Sequence, residues 1–226
     1  SNSKTKTNIS HIVKQLTKIP NPRILIIGGG TRGMGTERLY KTFKNSIIAF
    51  DVYDSDNVDF IGDANDVPFG NEVFDFVLIQ AVLEHVENPT RVVAEIHRVL
   101  KDKGIVYAET PFLQHVHEGA YDFTRYTVFG HRMLFKNFDK VNMGFIGGLG
   151  QSFLWSIENF SKALFRSRII GKMFKITFSW IRLLELIISN EANDDGACGC
   201  FFYGTKNSNK NQNSLIKYLV DYQGNQ

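Results

Sequence analysis

Apolar residues in the first half of the chain fall into short solid runs separated by polar, glycine-bearing segments. Residues 24–27, 47–50, 58–61, 74–79 and 105–108 are such runs, and their length and β-branched content predict strands buried on both faces. Between them the spacing changes. Ile9, Ile12, Val13 and Leu16 recur at helical intervals before Pro20 and Pro22. Residues 36–44 suit a helix, and Val92, Val93, Ile96, Val99 and Leu100 place an apolar stripe on a helix over 89–100, with Pro89 at its start and Gly104 beyond its end. Strand and helix alternating in this way predict a parallel sheet covered on both faces.

Two later runs, 138–146 and 200–204, complete a Rossmann-like, mostly parallel seven-stranded α/β sheet. Between them, over about 150–192, Phe153, Ile157, Phe160 and Leu164 form one helical stripe, and Met173, Trp180, Leu184 and Ile187 another. The region reads as a helical insertion, a lid or a homodimer surface whose stripes pack on the core or on a twin subunit. Its basic residues, Lys162, Arg166, Arg168, Lys172, Lys175 and Arg182, leave peripheral membrane contact as the alternative. Residues 1–205 are then one domain, and 206–226 a polar linker with a short tail.

Composition adds limits. A formal charge of +3 over 226 residues, with the two signs interspersed, gives no general affinity for nucleic acid. Cys198 and Cys200 are too few for a structural metal site, and free thiols suit a cytoplasmic protein. The most apolar stretch, 176–188, contains Arg182 and Glu185, which argues against a membrane span.

The chemistry begins at the first strand's end. Gly28 to Gly33 has the spacing G-x-G-x-x-G, and Asp51 closes the second strand about 20 residues later. Glycines admit a ligand close to the backbone, helix N-terminal amides attract an anion, and a carboxylate accepts both ribose hydroxyls. Any adenosine cofactor with an anionic end fits this pattern, so an NAD(P)-dependent oxidoreductase stays open.

Further blocks separate the alternatives. The residues 24–31, Phe50-Asp51, Gly62-Asp63-Ala64, Pro68-Phe69 with residues 74–77, and Arg98-Val99-Leu100 before Gly104 occur in the order seen in class I S-adenosylmethionine-dependent methyltransferases, and the chain resembles that family's small-molecule group. The resemblance implies S-adenosyl-L-methionine as cofactor. It implies Gly28 and Gly30 beneath it, Asp51 on its ribose, Asp63 beside Ala64 at its adenine, and Gln80 at the fourth strand's end. Two positions depart from the family: Ile26 stands where an acidic residue is usual, and only a short turn, 53–57, replaces the helix after Asp51. These departures keep a non-catalytic cofactor-binding module as a second alternative.

Transfer to a hydroxyl needs a proton acceptor. His117 is the preferred base and His85, in Glu84-His85-Val86, the second candidate. The loop after the fifth strand supplies His115, Tyr121, Asp122 and Arg125 as substrate-binding candidates. From His117 to Thr127 it resembles methyltransferases found among bacterial glycan-biosynthesis proteins, which implies a small-molecule or glycan-like acceptor. A metal held by His115 and His117 is not expected, because no carboxylate cluster completes the ligand set.

Overall fold

A computed structural model describes residues 3–207; the tail expected over 208–226 lies outside them. The elements run α1 (Ser3–Leu16), β1 (Ile24–Ile27), α2 (Glu37–Thr42), β2 (Ile47–Asp51), β3 (Phe60–Ile61), β4 (Phe74–Gln80), α3 (Pro89–Val99), β5 (Leu100–Pro111), α4 (Val128–Leu134) and β6 (Phe138–Ile146). Helices α5 (Leu149–Leu164), α6 (Arg168–Thr177), α7 (Ile181–Leu184) and α8 (Asn190–Gly196) precede the last strand, β7 (Gly199–Lys206).

The seven strands form one sheet in the order β3-β2-β1-β4-β5-β7-β6. β1 to β5 are parallel; β7 runs antiparallel to both β5 and β6. The period of two along β1 divides the core. Leu25 and Ile27 face Phe50, Ala64 and the α3 stripe of Val92, Val93, Ile96 and Val99. Ile24 and Ile26 face Ile9, Ile12, Val13 and Leu16 of α1 with Leu39 of α2. Each of these fully buried aliphatic side chains contributes about 2 kcal/mol of transfer free energy. Ile26 is therefore a core residue, which accounts for an apolar side chain where the family usually carries an acid.

Helix α3 begins where the sequence says it should. Asn88 Oδ1 accepts from the Arg91 amide at 3.0 Å, with Pro89 just inside. Strand β5 is longer than the apolar run predicts. It starts at Leu100, directly at the end of α3, and Gly104 lies so close to Phe74 O and Lys101 O that a Cβ there would approach them to 3.2 and 2.8 Å. Strand β7 extends to Lys206, whose ammonium turns inward to Leu100 O at 2.8 Å.

The insertion departs from expectation in its facing. Of α5 only Gly150, Ser152, Leu154 and Ser161 are buried. Helix α6 packs on α5 through Gly171, where a Cβ would come within 2.8 Å of Glu158 O. Phe153, Phe160, Leu164, Met173, Trp180, Leu184 and Ile187 are all exposed. The stripes consequently face away from the core, and α5 meets α6 through small residues instead.

Candidate active site

The glycine loop crosses the carboxyl ends of β1 and β2. Gly28 and Gly29 both donate to Phe50 O at 3.0 Å, and Gly28 takes φ +77, a left-handed conformation that a side chain resists. A Cβ on Gly28 would also strike Val82, just past β4. Gly30 donates to Asp51 Oδ2 at 2.9 Å, and its carbonyl accepts from Ser55 Oγ at 3.2 Å and Asn57 Nδ2 at 3.1 Å. The short turn after Asp51 is thus tied to the glycine loop, and the missing helix does not leave that edge unsupported.

Gly33 lies against Gln80, where a Cβ would sit 1.7 Å from Oε1. That amide oxygen is buried without a hydrogen-bond partner. Gln80 Nε2 donates to Met34 O at 3.4 Å and to Glu109. Glu109, buried at the end of β5, also accepts from Tyr107 OH at 2.6 Å and from Thr5 Oγ1. Sequence reasoning missed Glu109, although a lone carboxylate interrupting an apolar run is the signal that marks it.

These features fit an adenosyl sulfonium amino acid. Asp51 stands at the tip of β2, and each of its carboxylate oxygens retains a second lone pair for ribose hydroxyls. Exposed Val52, Tyr53 and Ile61 offer apolar surface for a purine, with Ala64 buried beside them. Asp63 Oδ1 accepts from the Asn65 amide at 2.8 Å and from Asn65 Nδ2 at 2.9 Å, an Asx turn that presents the other oxygen outward. The unpaired Gln80 oxygen is free to accept a hydrogen bond from a group lodged there, such as an ammonium.

A second cluster lies immediately past β4. Glu84 is 0% exposed, and neither carboxylate oxygen has a hydrogen-bond partner. Burial raises its pKa to about 7, against the lowering effect of the Arg125 charge. Its carbonyl accepts from the Phe123 amide at 2.8 Å, which draws the loop after β5 across it. His85 Nε2 lies 3.1 Å from His117 Nε2, and Glu84 Oε1 lies 3.6 and 3.9 Å from those two nitrogens. His117 Nδ1 faces Asp122 Oδ2 at 3.4 Å. Arg125 grips both oxygens of Asp122 in a fork, and that hydrogen bonding holds the Asp122 pKa down at about 2.

The structure therefore gathers His85, His117, Asp122 and Arg125 around Glu84, which sequence reasoning did not single out as a ligand or acid. His115 and Tyr121 stay exposed and enter only through their backbone: Tyr121 O meets His85 Nδ1 at 2.7 Å, and His115 O meets Arg125 at 3.5 Å. His117 pairs with His85 rather than with its sequence neighbour His115.

Residues 27–108 match the family model of the methyltransferase domain. Over these residues the chain is similar to class I S-adenosylmethionine-dependent methyltransferase domains. The match supports S-adenosylmethionine as cofactor and a methyltransferase as enzyme class. The glycine loop, Asp51 and the β4–α3 segment all fall within the matched stretch. A 44-residue segment is 50% identical to part of an uncharacterized protein of Methanocaldococcus jannaschii, a match covering 20% of this chain and 22% of that protein. Among solved structures, a putative sarcosine dimethylglycine methyltransferase from Galdieria sulphuraria superposes with a TM-score of 0.57 at 15% identity, over 90% of this chain and 86% of that one. The [4+2]-cyclase SpnF gives 0.55 at 15% identity, over 89% and 81%. At such identity these likenesses show the fold alone. No helix among the described residues is long and apolar enough to cross a membrane.

Proposed function

We propose that the protein transfers the cofactor's methyl group to a hydroxyl of a small-molecule or glycan-like acceptor. The observation that carries this is the convergence of Glu84, His85 and His117 beside the cofactor edge, four residues after Gln80 and two after the Val82 that packs on Gly28. A hydroxyl reaches the site protonated and is a poor nucleophile until it loses that proton, whereas a neutral amine needs no such help. The bound cofactor supplies an electrophilic methyl on a sulfonium, a good leaving group. What remains for the protein is to align the acceptor oxygen, exclude water and draw off its proton. The cluster performs the last task. The resemblance of residues 117–127 to glycan-biosynthesis methyltransferases, and the polar character of that loop, support a hydroxyl-rich acceptor.

The test is incubation of the purified chain with isotopically labelled cofactor and cell extract, then mass spectrometry of the labelled product. His117→Ala should lower turnover by about 10²–10⁴-fold while cofactor affinity is unchanged. Full turnover at every acceptor concentration would remove the cluster from the reaction. A raised KM alone would make it a binding element. Binding of cofactor without any product would favour the non-catalytic alternative.

We further propose that the insertion rests on an anionic lipid surface. Residues 149–188 carry six basic and two acidic side chains, a net +4 in a chain of net +3, so the remainder is net −1. Both acids are engaged: Lys175 Nζ lies 2.6 Å from Glu158, and the Gln151 amide donates to Glu185 at 2.7 Å. Exposed Lys162, Arg166, Arg168 and Lys172 accompany the outward Phe160, Leu164, Met173 and Trp180, the pairing that interfacial helices use. Salt-sensitive flotation with vesicles containing phosphatidylserine is the expected result. Protein left at the bottom of the gradient, together with a dimer by sedimentation, would assign the stripes to a second copy.

A further inference from the structure

The loop past β4 and the loop past β5 bring two imidazole nitrogens and a carboxylate oxygen to one point. His85 Nδ1 lies 2.7 Å from the Tyr121 carbonyl oxygen, which can only accept, so the ring's proton sits on Nδ1 and Nε2 is a bare lone pair in the neutral ring. His117 Nδ1 faces the Asp122 carboxylate held by Arg125 at 3.4 Å, which turns Nε2 toward His85. The two Nε2 atoms stand 3.1 Å apart, with Glu84 Oε1 at 3.6 and 3.9 Å. Three acceptors at these distances repel one another unless a proton or a cation lies among them. Glu84 makes the demand stronger, because it is wholly buried and both its oxygens lack a partner.

We propose that Glu84, His85 and His117 bind one first-row divalent cation, with Zn²⁺ the best match. A tetrahedral ion with bonds of about 2.05 Å sets its ligands ~3.3 Å apart, so small side-chain shifts would bring the separations of 3.1, 3.6 and 3.9 Å to that value. Two imidazoles with one carboxylate suit Zn²⁺ and its neighbours; Mg²⁺ and Ca²⁺ call for oxygen ligands. The surroundings suit ligating histidines: His85 turns its other nitrogen to the Tyr121 carbonyl, and His117 turns its own toward the Asp122 carboxylate. The ligand side chains are buried on the Glu84 side and partly open at His85 and His117, which leaves a coordination position open to solvent.

The inference rests on the hydroxyl-acceptor reading and gives it a means. A cation held by Glu84, His85 and His117 would supply Lewis-acid chemistry there, lowering the pKa of an acceptor O–H so that the proton could be drawn off at neutral pH. Electrons balance without any redox partner, because the cation keeps its charge state.

The decisive experiment is titration of the chelator-treated full chain with Co²⁺, read by visible absorption, followed by competition with Zn²⁺. One equivalent of Co²⁺ should give the intense bands of a tetrahedral ion, and Zn²⁺ should abolish them. Glu84→Gln and His117→Ala should each weaken binding by more than tenfold. Asp122→Asn, which touches no ion, should weaken it by about 10–100-fold through loss of the support to His117. Circular dichroism and cofactor affinity report whether each variant is folded. A spectrum of hydrated Co²⁺ only, or one unchanged in the folded variants, would overturn the site. These readouts need neither acceptor nor turnover. Methyl transfer to a hydroxyl without metal binding would sink this inference alone, and metal binding with transfer to an amine would sink the hydroxyl reading alone.

Discussion

Replacing His131 with leucine should flatten the dependence of stability on acid pH. His131 lies on α4 with 1% exposure, packed edge-on to Phe135 at 5.1 Å and near Tyr126, and neither ring nitrogen has a hydrogen-bond partner. Burial lowers its pKa from 6.5 to about 3. The unfolded chain therefore binds more protons at this residue between those values, and the folded state loses stability as pH falls from about 6.5 towards about 3. Worked from the two pKa values, the loss between pH 7 and pH 5 is about 2 kcal/mol, or about 4–8 °C in Tm for a chain of this size. At pH 7 the leucine variant should be at least as stable as the parent, because two unsatisfied polar atoms leave the core and the volumes are similar. The assay is thermal or urea unfolding of both proteins at matched ionic strength from pH 5 to pH 7. Other titrating groups cancel in the difference. Parallel pH profiles would refute the reasoning, as would an NMR titration placing His131 near its ordinary pKa in the folded protein.

Asp51→Ala should weaken S-adenosylhomocysteine binding by about 1.5–3 kcal/mol through loss of a charged acceptor for the ribose hydroxyls, read by calorimetry; unchanged affinity in a folded variant would remove Asp51 from the site. Gly28→Ala should cost about 2–5 kcal/mol in unfolding, since φ +77 strains an alanine and its Cβ would overlap Val82 Cγ2 at 2.1 Å. Arg98→Ala should cost about 2 kcal/mol, because its guanidinium donates to Val67 O at 2.9 Å and Phe69 O at 2.7 Å, pinning the loop before β4; a variant as stable as the parent would show those contacts to be dispensable.

The sheet was legible because burial on both faces writes itself as solid apolar runs. The bounds of β1 and β6 match the runs to the residue, and β2, β4 and β7 differ by one or two residues. The cofactor half was legible because its glycines and Asp51 obey local constraints of backbone and strand end. The acceptor half was not. Glu84 and His117 are 33 positions apart, and only the β4–α3–β5 crossover, with Phe123 donating back to Glu84, makes them neighbours. His131 and Glu109 look like surface residues by type, and their burial depends on what packs over them. The insertion's stripes show the remaining gap: periodicity finds an apolar face but not what covers it, and α5 turned its small residues inward.

Ile146 and Gly199 are partners in the β6–β7 ladder, and the Cys198 amide donates to Gly147 O at 3.0 Å. The whole of α5 to α8 leaves and re-enters the sheet at that one point. In engineering terms it is a cassette. A two-residue hairpin turn could close the ladder in its place, and a foreign helical pair could be spliced there without disturbing the strands that carry the glycine loop and Asp51. What the molecule touches outside itself can therefore be exchanged independently of the chemistry it performs.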